Sequence, residues 1–140
     1  MEKITFNELV NNISNIIKNH PLVEHLYINQ IPDKDIIYSN VYLLFKGIDL
    51  YERFAMARFR FVWNDLLNVE KDNETEHIST GISVLKQIFD KIQENKSYRL
   101  SNNGYISNLS FAYQTNADVN VSVYGEISIV FEMANNCTYY

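Results

Sequence analysis

Alternation of apolar and polar residues over positions 119–133 constrains the fold of this chain more than any other feature of its sequence. The even positions are mostly polar, and Gly125 holds the apolar phase without a side chain. Because successive side chains of a strand point to opposite faces, the pattern predicts a long strand with one buried and one solvated face, which is typical of an antiparallel sheet. The apolar positions are Val119, Val121, Val123, Ile127, Ile129, Phe131 and Met133.

A second alternating segment, residues 53–63, predicts another long strand of the same sheet. Two arginines, Arg58 and Arg60, share one of its faces. This indicates that the face is partly solvated or that the arginines pair with carboxylates. The opposite face carries Ala55, Ala57, Phe59, Phe61 and Trp63.

Shorter segments predict the remaining strands and turns. An apolar run at residues 41–45 predicts a buried strand, and residues 47–50 are expected to turn the chain. Residues 22–28 fit either a short strand or a loop. Residues 101–104 have the composition of a turn, and residues 109–113 predict a further strand.

Two amphipathic helices are predicted, one before the strands and one between the two sets of strands. The first covers roughly residues 6–19, because Thr5 and Glu8 fit a capping box and an apolar stripe follows at helical spacing. Pro21 ends it, since the residue before proline disfavours the helical region. The second starts after a cap at Asn73 and ends near residue 95. It contains Gly81, which indicates close packing at that point.

The order of elements predicts an α+β fold, an antiparallel β-sheet packed by two amphipathic helices. Its length of 140 residues fits a single domain over residues 1–140, with an extended C-terminal tail at residues 135–140. No apolar run approaches the roughly 20 residues needed to span a bilayer. The single cysteine, Cys137, excludes an intrachain disulfide and favours a reducing compartment.

The net charge of −5 argues against binding to a nucleic-acid backbone or to an anionic membrane surface. The negative charge is explained by solubility alone, or by an acidic surface past which DNA slides without binding. The segment Arg58-Phe59-Arg60-Phe61 resembles an RNA-binding strand, but its aromatic and basic residues point to opposite faces. Core phenylalanines with surface arginines are the simpler interpretation.

The sequence contains no recognisable constellation for catalysis or for a cofactor. His20 and His25 have no third ligand at a spacing that would complete a metal site. The acidic run at residues 65–76 precedes a helix, where carboxylates interact favourably with the positive end of the helix dipole. Cys137 has no histidine nearby, and four glycines provide no phosphate-binding loop. We therefore expect no enzyme activity, no cofactor and no metal.

In its ordered features the whole chain resembles small virion proteins at the head–tail junction of tailed bacteriophages, including crAss-like phages. These are similar to tail terminators or neck ring proteins. The features are Asn7-Glu8-Leu9-Val10, His20-Pro21-Leu22-Val23, a tyrosine-led strand at 38–45, Phe-Arg-Phe-Val-Trp-Asn-Asp at 59–65, Asn73-Glu74, Ser79, a helix at 85–92, and a final strand before Asn136-Cys137-Thr138-Tyr139.

The resemblance implies a structural virion protein, assembled in the host cytoplasm, that forms a six- or twelve-fold ring through which DNA passes without sequence-specific binding. Portal, neck or tail proteins would be its partners, and it would bind no membrane. Ring contacts join two different patches of one chain. The candidate interface residues are Arg58, Arg60, Asn102, Asn103, Tyr105, Asn136, Tyr139 and Tyr140.

A second hypothesis remains open at this point. A small acidic chain could be a soluble binding protein, such as an immunity-like inhibitor, that acts as a monomer on one basic partner. An acidic patch concentrated on one face would favour this alternative.

Overall fold

The computed structural model describes residues 2–66, 74–100, 111–116 and 120–134, with only the backbone of residues 111–116. These residues form two helices and seven strands, which confirms the α+β class. In chain order they are β1 (Lys3–Ile4), α1 (Phe6–Lys18), β2 (His25–Ile28), β3 (Asn40–Leu50), β4 (Ala55–Leu66), α2 (Glu74–Gln93), β5 (Tyr98–Leu100), β6 (Phe111–Asn116) and β7 (Asn120–Met133).

All seven strands belong to one sheet, in which β2, β3, β4 and β7 lie side by side. The expectation of an antiparallel sheet was wrong in part, because β2 pairs with β3 and β1 pairs with β7 in parallel. Residues 29–39 carry the chain back along the sheet, so that Asn40 starts β3 beside His25 at the start of β2. A parallel pair needs such a crossover, and strand patterns alone do not reveal it.

Three short strands share the second edge of β7. Residues 120–131 of β7 all pair with β4, so β1, β5 and β6 lie along the opposite edge. The strands β5 and β6 both run antiparallel to β7 and therefore point in the same direction. β1 and β5 were not predicted, because two and three residues are too few to show a period.

The first helix begins where its capping box predicts. The hydroxyl of Thr5 accepts a hydrogen bond of 3.0 Å from the backbone N–H of Glu8, and it donates to the Glu8 carboxylate over 3.2 Å. The carboxylate thus contacts the Thr5 side chain rather than reaching back to its backbone. Leu9, Ile13 and Ile17 form the buried stripe of the helix.

The second helix packs very closely on the sheet at Gly81. A Cβ atom there would lie 2.6 Å from Cδ1 of Trp63 and 2.7 Å from Cγ2 of Val123. The prediction of close packing at this glycine is confirmed. The predicted cap, Asn73, lies outside the described residues.

One large core lies between the sheet and both helices. It contains the predicted inward positions of β4, and in β7 Val121, Val123, Ile127, Ile129 and Phe131. Met133 is still exposed at the strand end, and Val119 lies outside the described residues. The alternation therefore identifies the buried face of β7 correctly over residues 121–131, and Met133 departs from it at the strand end.

The predicted turn at residues 47–50 was wrong, because β3 continues through these residues to Leu50. A register shift between Phe45 and Gly47 absorbs the irregularity, and Gly47 has φ +147°. The chain turns instead between Tyr51 and Phe54, whose backbone N–H and carbonyl are joined over 2.9 Å. The predicted strand at 109–113 is found at Phe111–Asn116, and the turn at 101–104 lies outside the described residues.

Candidate interface on the helix-free face of the sheet

Both helices cover the same face of the sheet, so the opposite face carries no helix among the described residues. We call it the outer face. It displays the even positions of β4 and β7 and their cross-strand neighbours on β3. This face carries two ion pairs, a row of polar side chains that is buried, and a small apolar cluster around Tyr27, Tyr42 and Val62.

The predicted arginines lie at the centre of the outer face, and each is paired with a carboxylate. Arg58 contacts Asp49 of β3. Arg60 contacts Glu126 of β7 over 2.6 Å and lies 5.7 Å from the ring centroid of Tyr124. The prediction that this face is partly solvated or paired with carboxylates is confirmed. Both arginine side chains are about 40% exposed, so the pairs contribute little to stability and cancel charge locally.

Gly47 makes room for the first of these pairs. A Cβ atom on Gly47 would lie 2.5 Å from a terminal nitrogen of the Arg58 guanidinium, and its positive φ also disfavours a side chain. The glycine therefore lets Arg58 lie flat over β3 towards Asp49.

A row of buried polar side chains crosses three strands at one end of the outer face. Ser122 donates to Asn64 over 2.6 Å, Asn64 donates to Asn40 over 2.8 Å, and Asn40 donates to the carbonyl of Ile37 over 2.8 Å. Asn120 donates to Ser122 over 3.2 Å. We call Asn40, Asn64, Asn120 and Ser122 the polar row.

The polar row corrects one expectation from the sequence. The even positions of β7 were expected to be solvated, but Asn120 and Ser122 are buried. Their hydrogen bonds to each other and to Asn64 compensate for the lost water, so polar residues can lie beneath the chain that covers this end.

A serine, an aspartate and a histidine lie together beside the polar row. Ser39 donates to Asp65 over 2.5 Å, and Nδ1 of His77 lies 2.8 Å from the other carboxylate oxygen. In a nucleophilic triad the histidine stands between serine and carboxylate, where it can accept the hydroxyl proton. Here the carboxylate stands in the middle. The three side chains connect β4 to α2 and to the start of β3. Because Ser39 donates to Asp65 and not to His77 in this arrangement, the histidine cannot accept the serine proton as it would in a triad.

The remaining histidines also have structural contacts. Nε2 of His20 lies 2.6 Å from the Gln87 side chain on α2, and the His25 ring packs on Tyr27 with centroids 4.4 Å apart. No cluster of three or more metal-ligating side chains occurs among the described residues.

A groove opens on the outer face between the sheet and residues 29–39, which we call the crossing segment. Tyr27 holds this segment by accepting a hydrogen bond of 3.0 Å from the backbone of Ile37. The groove has a volume of about 390 Å³, and Asn64, Asn120 and Ser122 of the polar row line part of its floor. We call it the tyrosine groove. Its apolar and aromatic lining includes Ile31, Ile36, Tyr38, Tyr42, Leu44 and Tyr124.

The opposite end of the sheet carries an exposed apolar tip on the β3–β4 hairpin. The rings of Tyr51 and Phe54 stack with centroids 4.6 Å apart, and Leu50 beside them is 65% exposed. Glu52 and Arg53 occupy the turn between the two rings. We call residues 50–54 the hairpin tip.

The structure places two of the eight predicted interface residues, Arg58 and Arg60, on the outer face. The other six, Asn102, Asn103, Tyr105, Asn136, Tyr139 and Tyr140, lie outside the described residues. The sequence analysis missed the hairpin tip and the tyrosine groove. A signal for the tip was present, because large apolar residues flank the charged pair Glu52-Arg53 in a connection between two strands.

No protein-family model matches the sequence, and no curated protein matches it significantly. Among the described residues, no helix has the length and apolarity required to cross a bilayer.

Proposed function

We propose that this chain is a non-enzymatic structural subunit of a tailed-bacteriophage particle, which forms a ring at the head–tail junction and surrounds the path of the DNA. The proposal combines the resemblance of the ordered sequence features with one structural observation. Two dissimilar apolar features, the tyrosine groove and the hairpin tip, lie at different ends of one sheet.

Two dissimilar surfaces suit a ring subunit. In a closed ring each copy uses one patch towards the neighbour on one side and a different patch towards the other. The ion pairs of Arg58 and Arg60 leave the middle of the outer face without a strong net charge. Such a face does not repel another protein through net charge.

The alternative of an acidic inhibitor gains no specific support from the described residues. On the outer face Asp49 and Glu126 are both paired with arginines, so this face does not present an unbalanced acidic patch to a basic partner.

Quantitative mass spectrometry of purified particles tests the proposed function. We expect the chain at low copy number, in a fixed ratio to the portal protein of the phage that encodes it. A chain that is abundant in infected cells but missing from purified particles would contradict a virion role and favour the soluble-inhibitor hypothesis.

A further inference from the structure

We propose that copies of this chain associate head to tail, with the hairpin tip of one copy inserted into the tyrosine groove of the next. The inference deepens the proposed function by naming the contact that would build the ring. It rests on that function only for the closure of a ring, because the pairwise contact can be tested on the isolated protein.

The groove is suited to an apolar occupant. The side chains of the polar row hydrogen bond to one another, from Ser122 to Asn64 and from Asn64 to Asn40. Among the described residues that line the groove, Arg60 is the charged one, and it is paired with Glu126. A charged small molecule would therefore find no uncompensated partner on the described walls, whereas aromatic and aliphatic side chains would meet tyrosine rings and branched chains.

The hairpin tip has the matching chemistry. The stacked rings of Tyr51 and Phe54 project with Leu50 at the end of two paired strands, so they are presented on a rigid element. A tyrosine or phenylalanine side chain buries roughly 150–250 Å² when it is fully covered. Rings that are already stacked lose less conformational freedom on binding. The charges beside the two surfaces are mixed, Glu52 with Arg53 on the tip and Lys34 between Asp33 and Asp35 on the crossing segment, so neither surface strongly repels the other.

The positions of the two surfaces favour a repeating contact over a closed pair. On β3 the groove is lined by Tyr42 and Leu44, which precede Leu50 of the tip by eight and six residues. At a rise of about 3.3 Å per residue, they lie roughly 20–26 Å from the tip. A copy whose tip is bound still offers an empty groove, and repetition of this contact gives a ring or an open filament.

The size of the contact implies that a single pair is weak. The three side chains are 39–65% exposed, so together they can bury on the order of 300 Å² on one partner, well below the roughly 800 Å² per partner of a standard stable interface. Ring closure gives every copy two contacts and makes the last one intramolecular, which strengthens the assembly as a whole.

Photo-crosslinking provides the direct test. A photoreactive phenylalanine analogue replaces Tyr51, and this chain is mixed with isotope-labelled unmodified chain at about 1 mM, where weak contacts are populated. We expect crosslinks between the two isotopic forms, attached to residues 31–44 or 120–124 of the second copy. The proposal would be overturned if crosslinks formed only within one chain, for example to residues 135–140. Crosslinks to other sites of the second copy would also overturn it.

Paired surface variants keep the test independent of folding defects. Tyr51→Ser with Phe54→Ser removes the tip, and Ile31→Lys places a charge at the groove on a side chain that is 68% exposed. Each should reduce self-association at least about tenfold in analytical ultracentrifugation. Leu22→Ser, an exposed apolar position away from both surfaces, is the matched control and should leave association unchanged.

Mixing the two defective variants distinguishes a tip-to-groove contact from a tip-to-tip or groove-to-groove contact. The tip variant retains its groove and the Ile31→Lys variant retains its tip, so the mixture should form dimers and nothing larger. Failure of the mixture to form dimers would count against the contact. If the crosslinks form in solution but the chain is missing from phage particles, the contact stands and the proposed function is wrong. If the chain is present in particles but the crosslinks do not form, the proposed function stands and the contact is wrong.

Discussion

At the residue scale, Gly81 sets the distance between α2 and the sheet. Trp63 and Val123 occupy the space that any side chain at this position would need. Alanine is the better helix former by about 1 kcal/mol, so helix propensity and packing make opposite predictions for the same substitution.

Packing should prevail at this position. We expect Gly81→Ala to lower the free energy of unfolding by about 1–3 kcal/mol, because a buried methyl group forces the helix away from Trp63. Urea denaturation measures the change. Ser83→Ala, on the exposed side of the same helix, should leave stability unchanged or raise it slightly; a stabilised Gly81→Ala variant would contradict the packing argument.

Buried tyrosines make the stability sensitive to alkaline pH. Burial raises the pKa of Tyr98 above its ordinary value of 10.0, partly offset by the Asn95 side chain. Burial also raises the pKa of Tyr42, and Tyr38 and Tyr27 add to this rise. In both cases the folded protein holds the phenolic proton more strongly than the unfolded chain.

The sign of the pH effect follows from this difference. Below about pH 10 both states are protonated, so these tyrosines add no pH dependence; as pH rises further the unfolded chain ionises first, and the free energy of unfolding falls. We expect Tyr98→Phe to reduce the loss between about pH 10 and pH 11, measured by urea denaturation at each pH. An unchanged slope in the variant would show that Tyr98 does not contribute.

At the element scale, the polar row shows how the three longest strands are held in register. Asn64 of β4 lies directly opposite Asn40 of β3 and Ser122 of β7, and it hydrogen bonds to both. A slip of β4 by one residue would turn Asn64 towards the apolar core and away from both of its partners. The row therefore specifies one pairing of the strands at the end of the sheet.

A double-mutant cycle tests the coupling within the row. Asn64→Ala and Ser122→Ala should each cost about 1–3 kcal/mol, because each leaves a buried partner without its hydrogen bond. The double variant should cost less than the sum of the two by about 0.5 kcal/mol or more. Additive losses, like those expected when Asn64→Ala is combined with the distant Ser83→Ala, would show that the row is not a coupled unit.

The sequence was informative where a pattern is long and local. The capping box at Thr5 and the alternation in β4 and β7 each depend on neighbours within one element, and they predicted α1 and the buried face of the sheet. At the even positions of β7, Glu126 is exposed as expected, whereas Asn120 and Ser122 are buried. Ser122 hydrogen bonds to Asn64 of another strand, a contact that the periodicity of one strand does not reveal. Likewise, nothing near Gly47 shows that β3 absorbs an irregularity and continues to Leu50.

The same distinction applies to the candidate site. Arg58 and Arg60 were predicted from strand periodicity, and their pairing with carboxylates was anticipated without the identity of the partners. The tyrosine groove could not be predicted, since it unites Tyr38, Leu44 and Tyr124 from separate parts of the chain. Only the fold brings such residues to one place.

At the scale of the whole molecule, a single core joins both helices to the sheet. The chain contains one tryptophan, Trp63, which is 1% exposed and lies between β4 and α2. Its fluorescence therefore reports on the same core on which the helices depend.

We expect cooperative unfolding of the whole molecule. The transition followed by Trp63 fluorescence should coincide with the loss of helix followed by far-ultraviolet circular dichroism, because the helices have no other apolar surface to pack against among the described residues. Distinct midpoints for the two signals would show that a helix unfolds separately from the sheet.

The place of β7 in the chain has a consequence for biosynthesis. This strand pairs with β4 along one edge and with β1, β5 and β6 along the other, yet it is made after all of them. A growing polypeptide that has left the ribosome as far as α2 exposes the apolar side of β4 and an unpaired strand edge, a combination that invites aggregation. The nascent chain must therefore remain soluble, or be held by a chaperone, until its last described strand emerges and completes the sheet.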